Sequence, residues 1–114
     1  MYTFNGALNT LLKKAVFDFG KANVIVMTPM HRVGEDNLKG EGNKTVDGEK
    51  LSTYVDVIKR QAQKYGLHVI DLYGEKLLNP NVSDYAKFFA DGLHPNNEGH
   101  ALLANIIKEH LGRI

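Results

Sequence analysis

Asp91 and His94 stand three residues apart in "FFADGLHPNNEGHALL", residues 88–103. A carboxylate three residues ahead of an imidazole can curl back across a turn and accept the Nδ1 proton. That fixes one tautomer and leaves Nε2 available as a base. The plainer alternative makes Asp91 a turn residue and leaves His94 at an exposed helix entrance beside Pro95, because Asp, Gly and Asn are common turn formers. Four letters alone do not separate the two readings; the surrounding elements must.

Other chemistry-bearing residues are fewer. His31 and Arg32 follow Pro29 at the end of an apolar run, a position from which they would contact a substrate oxygen or simply stand exposed as a basic pair. His68, Asp71, Asp91, His94 and His100 include no compact ligand motif such as H-E-x-x-H, so no metal centre is expected. "GEGNKTVDGEK" lacks the G-x-x-x-x-G-K-[ST] arrangement after a strand that would cradle phosphate. Its glycines and charges describe a flexible lid or disordered loop.

These residues need elements to position them. Between Phe4 and Phe19, residues Ala7, Leu8, Leu11, Leu12, Ala15, Val16 and Phe19 recur at three-and-four spacing, which gives one apolar helix face ending at Gly20. "NVIVMTP" is short, continuously apolar and β-branched, as expected of a strand buried on both faces in a parallel sheet. His31 to Gly48 holds four glycines in a polar stretch and reads as one long loop. "EKLSTYVDVIKRQAQKYG" sets Leu51, Tyr54, Val55, Ile58, Ala62 and Tyr65 on one helical face, with Gly66 at the C-terminal end. "LHVIDLY" reads as a second buried strand. A last helix begins near Asn96 or Asn97, either of which can cap it, and offers Leu103, Ile106, Ile107 and Leu111 to the sheet.

The order α-β-α-β-α implies a parallel sheet with right-handed crossovers and one domain over residues 1–114. Asp91 and His94 then lie on a loop beyond the carboxyl end of a strand, where open α/β sheets gather their reactive groups. A doubly wound fold usually has about five or six strands, whereas two are legible here. The strand Val24 to Thr28 would carry an open edge, an invitation to pair with another chain.

Composition narrows the field. The 14 basic and 13 acidic residues leave a net charge of +1, which gives no reason to expect nucleic acid or an anionic membrane as partner. Zero cysteines exclude a disulfide framework, a thiolate nucleophile and a Cys-based zinc site. No basic start precedes an apolar run and no stretch of about 18 apolar residues occurs, so neither a signal peptide nor a membrane span is expected, and the compartment stays open.

The block "DGLHPNNEGHALLANII", set about twenty residues after "VIDLY", with "VIVMTPMHR" earlier, resembles the last conserved block of the SGNH (GDSL-type) ester hydrolases. The similarity spans essentially the whole chain. It implies a three-layer α/β/α flavodoxin-like fold, here reduced to about two parallel strands and three helices. It also implies that Asp91 and His94 are the acid and base of a Ser-His-Asp triad. His31 and Arg32 would line the substrate site, and no cofactor would be needed. The family's Gly-Asp-Ser nucleophile block and its two oxyanion-hole blocks have no counterpart in these residues, so the chain corresponds to the C-terminal half of such an enzyme. Only Ser52 and Ser83 could replace the nucleophile. One falls in a helix's first turn and the other in a loop, and neither occupies a strand-to-helix elbow.

Two readings follow. The chain is the His/Asp half of an esterase or acyl hydrolase acting on a small carboxylic ester, inactive without its nucleophile. Alternatively it is a non-catalytic truncated fragment that forms a homodimer through the Val24 to Thr28 strand edge. A two-fold axis there would make the two inner strands antiparallel.

Overall fold

The computed structural model describes residues 2–35 and 50–113. In chain order these form helix α1 (Tyr2–Phe19), strand β1 (Ile25–Met27), helix α2 (Leu51–Lys64), strand β2 (His68–Ile70) and helix α3 (Asn97–Leu111). Single 3-10 turns at Lys21–Asn23, Lys76–Leu78 and Ala86–Phe88 fill the connections. The strands pair in parallel, Ile25 opposite His68, Val26 opposite Val69 and Met27 opposite Ile70. The α/β order matches the periodicities. The expected loop from His31 to Gly48 lies largely outside the described residues, of which 31–35 form its opening turn.

Helices cover both faces of the sheet, because the period of two in the strands sends alternate residues to opposite sides. On one face Leu12 of α1, Ala62 of α2 and Leu67 are buried, with Leu8, Val16, Val24, Val26, Tyr65 and Val69 packed around them. On the other, Ile70, Leu72, Leu78, Phe89 and Ile106 form the core, joined by Met30, Leu102, Leu103 and Ile107. Leu78 is fully buried although it sits in a 3-10 turn rather than in a main element. The long connection from β2 to α3 is thus a floor of this core, and it holds the segment carrying Asp91 in place.

Two expectations need correction. The strand read as buried on both faces is covered on one: Ile25 and Met27 are 38% and 51% exposed. The core on that face gathers around Ile70 of β2 and leaves out Ile25 and Met27. Likewise the broad apolar face of α1 is only half used. Leu8, Leu12 and Val16 meet the core, while Leu11 and Phe19 of the same stripe are 63% and 67% exposed. On α3, Ile106 is buried as expected and Leu111 is exposed at the helix end.

The two strands are pinned where they end. The Thr28 N–H donates to the Ile70 carbonyl at 3.1 Å. The Thr28 hydroxyl donates to Asp71 Oδ1 at 2.9 Å and accepts the Tyr73 N–H at 3.0 Å. Lys59 of α2 reaches Asp71 Oδ2 at 2.8 Å. Burial on its own would raise the Asp71 carboxyl's pKa, but Lys59, the Thr28 hydroxyl and the Gly74 N–H together hold it below its ordinary value. Asp71 is therefore a strand-end clasp joining β1, β2 and α2.

Candidate active site

The turn that carries the acid and base is built by the acid itself. Asp91 Oδ1 accepts the N–H groups of Leu93 at 2.9 Å and of His94 at 2.7 Å, which folds residues 91–94 back on themselves. Gly92 sits inside that turn at φ 77°, a left-handed conformation that side chains disfavour. The turn is closed from outside by the Ala90 N–H on the His94 carbonyl at 3.0 Å and by the Asn96 N–H on the Phe88 carbonyl at 2.8 Å. Phe89 and Pro95 form a lone antiparallel bridge between these bonds.

Asn96 then starts α3. Its Oδ1 accepts the Gly99 N–H at 2.9 Å, satisfying one of the free donors of the first helical turn, as the sequence led us to expect. Its Nδ2 donates to the Lys87 carbonyl at 2.6 Å. Gly99 is required by proximity: a Cβ there would lie 2.2 Å from the Phe88 carbonyl oxygen. The run "HPNNEG" is thus a capped helix entrance pressed against residues 87 and 88.

Within this frame the second carboxylate oxygen, Asp91 Oδ2, lies 2.7 Å from His94 Nδ1. The His94 backbone N–H, the His94 ring and the Leu93 N–H hold the Asp91 carboxyl well below the usual carboxylate range. An ionised carboxylate can only accept, so the Nδ1 proton resides on the imidazole and donates to Asp91. In the neutral ring Nε2 then keeps its lone pair, the tautomer that a general base requires. The side chains are 72% and 53% exposed for His94 and Asp91, so the pair lies open at the surface.

His31 and Arg32 follow β1 on the adjoining loop. His31 Nδ1 lies 2.5 Å from Glu35 Oε1, and its ring stacks on Tyr73 with centroids 3.7 Å apart and planes inclined by 26°. The other Glu35 oxygen accepts the Arg32 N–H at 2.8 Å. Arg32 Nε is buried without a hydrogen-bond partner among the described residues, and the Arg32 carbonyl accepts from Asn81 Nδ2 at 3.0 Å. The two loops touch through the Val33 N–H, which donates to the Gly92 carbonyl at 2.9 Å. Hence all four expected residues gather beyond the carboxyl ends of β1 and β2, as two carboxylate-oriented histidines on neighbouring turns. Glu35 escaped the sequence reading although its spacing of four from His31 was a usable signal.

The remaining candidates go elsewhere. Asp71 belongs to the strand clasp, His68 packs edge-on against His110 with ring centroids 5.9 Å apart, and His100 is exposed on α3. Among the described residues no group of three or more His, Cys, Asp or Glu is placed to hold a metal ion. Ser52 lies in the first turn of α2 and Ser83 on an exposed loop.

The model of the GDSL-like lipase/acylhydrolase family matches residues 2–102. The chain belongs to that family. A solved crystal structure resembles this GDSL-like chain with a TM-score of 0.78 and 26% sequence identity, over 97% of this chain and 52% of the other. The GDSL-like chain therefore spans about half the length of that structure. Comparison with curated proteins gives no match. Among the described residues no helix is long and apolar enough to cross a membrane.

Proposed function

We propose that this chain supplies the histidine–aspartate half of a serine-dependent acyl hydrolase acting on a small carboxylic ester. The reading rests on the Asp91–His94 pair, in which one carboxylate shapes the turn with Oδ1 and orients the imidazole with Oδ2. His94 Nε2 would take the proton of an attacking serine and return it to the leaving alcohol. Asp91 would stabilise the imidazolium formed in between. His31 and Arg32, on the neighbouring turn, would contact the substrate. Residues 1–114 contain no Gly-Asp-Ser nucleophile block, and the nucleophile and oxyanion donors would come from another polypeptide segment. Without them the pair keeps little of the machinery, since attacking oxygen and oxyanion hole supply much of the rate.

Hydrolysis of p-nitrophenyl acetate tests this reading. The purified chain and its His94→Ala variant should show the same background rate, and fusion to the serine-bearing segment of a GDSL-like hydrolase should create a rate that His94→Ala abolishes. A His94-dependent rate from the chain alone would overturn the claim that it is inactive by itself. A fusion that folds and hydrolyses independently of His94 would remove the catalytic assignment.

A second reading, self-association, is favoured by the flank of the molecule at β1. The Thr28 N–H bonds to Ile70, and alternation along a parallel pair turns the backbone groups of Ile25 and Met27 toward the open edge. Two copies could join there through antiparallel β1 strands, making a four-stranded sheet with both α1 flanks on the same side. A single monomeric species by light scattering at high protein concentration would exclude it.

A further inference from the structure

The turn that holds the acid and base is secured within itself by Asp91, yet His94 is largely exposed and its ring has little of the protein body around it. What ties residue 92 to the body is the loop after β1. The Val33 N–H donates to the Gly92 carbonyl. The Val33 side chain presses on the same residue: a Cβ placed on Gly92 would lie 2.7 Å from Val33 Cγ2 and 3.0 Å from Val33 Cβ. Gly92 is therefore held from below by both the backbone and the branched side chain of Val33, in the left-handed conformation on which the turn depends.

Val33 is in turn placed by Glu35. This carboxylate is 8% exposed, and its oxygens engage His31 Nδ1 and the Arg32 N–H. The Arg32 carbonyl is tied to Asn81. Stacking on Tyr73 fixes the His31 ring that Glu35 holds. The two residues before Val33 are thus held, His31 through its ring and Arg32 through both its N–H and its carbonyl, and this turn sets where Val33 points.

We propose that Glu35 and Val33 are positioning residues for the Asp91–His94 pair. Glu35 locks the turn at residues 31–33, and Val33 transmits that lock to Gly92, so that Asp91 keeps both its backbone acceptor role and its grip on the His94 ring. The proposal rests on the acyl-hydrolase reading for its purpose, but not for its test, because the geometry can be followed without turnover.

The test is amide hydrogen exchange by NMR on the chain as it is, with ring 15N shifts reporting the His94 tautomer. In Val33→Ala, protection of the Leu93 and His94 amides should fall by about tenfold while that of the central α3 amides stays unchanged. The His94 ring should also drift from the Nδ1–H form toward a tautomer mixture. Glu35→Ala should give the same local pattern, and Val33→Thr, which keeps a branched side chain of the same shape, should restore it. Val33 is half exposed, so its truncation leaves a folded protein even where Glu35→Ala does not. Unchanged protection and tautomer in Val33→Ala would overturn the proposal, as would a loss spread equally over Leu93, His94 and the α3 amides. Absence of hydrolase activity in any fusion would bear on the catalytic reading and leave this measurement standing.

Discussion

At the scale of residues, one carboxylate serves two tasks. Asp91 Oδ1 makes the turn and Oδ2 selects the imidazole tautomer, so Asp91→Asn should do more than remove a charge. An amide at this position can still accept the Leu93 and His94 N–H bonds, but it presents an NH2 to Nδ1 and so favours the opposite tautomer. In a serine-complemented hydrolase, kcat should drop by roughly ten-thousandfold, with the turn's amide protection retained. The pH dependence follows from the same contacts. The folded pKa of Asp91 is depressed, so its contribution is present above the ordinary value of 3.8 and is lost as pH falls toward the lower folded value. A carboxyl-carbon NMR titration should show Asp91 still ionised at its ordinary midpoint, and a midpoint at or above 3.8 would contradict the hydrogen bonding described.

At the scale of elements, the entrance to α3 and the strand-end clasp carry the local tolerances. A Cβ at Gly99 has nowhere to go but into the Phe88 carbonyl, so Gly99→Ala should lower stability by about 1–3 kcal/mol in urea titration. Leu78→Ala, at a side chain with 0% exposure, should lower it by about 2–5 kcal/mol through the cavity it leaves. The three helices, both strands and the Asn96 cap were legible because periodicity and capping chemistry are local. So was the closeness of Asp91 to His94, since three residues of turn leave few other places for a carboxylate. What was not legible is what depends on neighbours. Leu11 and Leu12 are the same residue type on one stripe, and only packing tells that one is exposed and the other buried. Glu35 reads as one more loop charge until the fold brings Gly92, a residue of the other turn, against its neighbour Val33. Leu78 gave no signal because a single 3-10 turn has no period.

At the scale of the whole molecule, one flank is unfinished among the described residues: Leu11 and Phe19 on α1 and Ile25 and Met27 on the opposite sheet face are bare, and β1 pairs with β2 alone. Charge is the simplest probe of that flank. Met27→Lys should abolish any self-association seen by light scattering while leaving far-UV circular dichroism unchanged, because an edge lysine opposes strand pairing without touching the core. If Met27→Lys leaves the association state unchanged, the edge is not where copies meet.

The clasp at Thr28 and Asp71 joins residues 43 positions apart in sequence, and the parallel pair above it has the same separation. Neither strand can find its partner locally, so the chain must close a long loop before that pairing yields any stability. The consequence is one of timing. Helices α1, α2 and α3 rest on near neighbours, so the sheet is expected to form late and to govern the rate. Since Asp91 and His94 take their places beyond the ends of those strands, the turn would be assembled in the final stage of folding. Stopped-flow refolding of Thr28→Val should show this as a slower rate at nearly unchanged helix content. An unchanged refolding rate, with only faster unfolding, would move the clasp to the far side of the folding barrier.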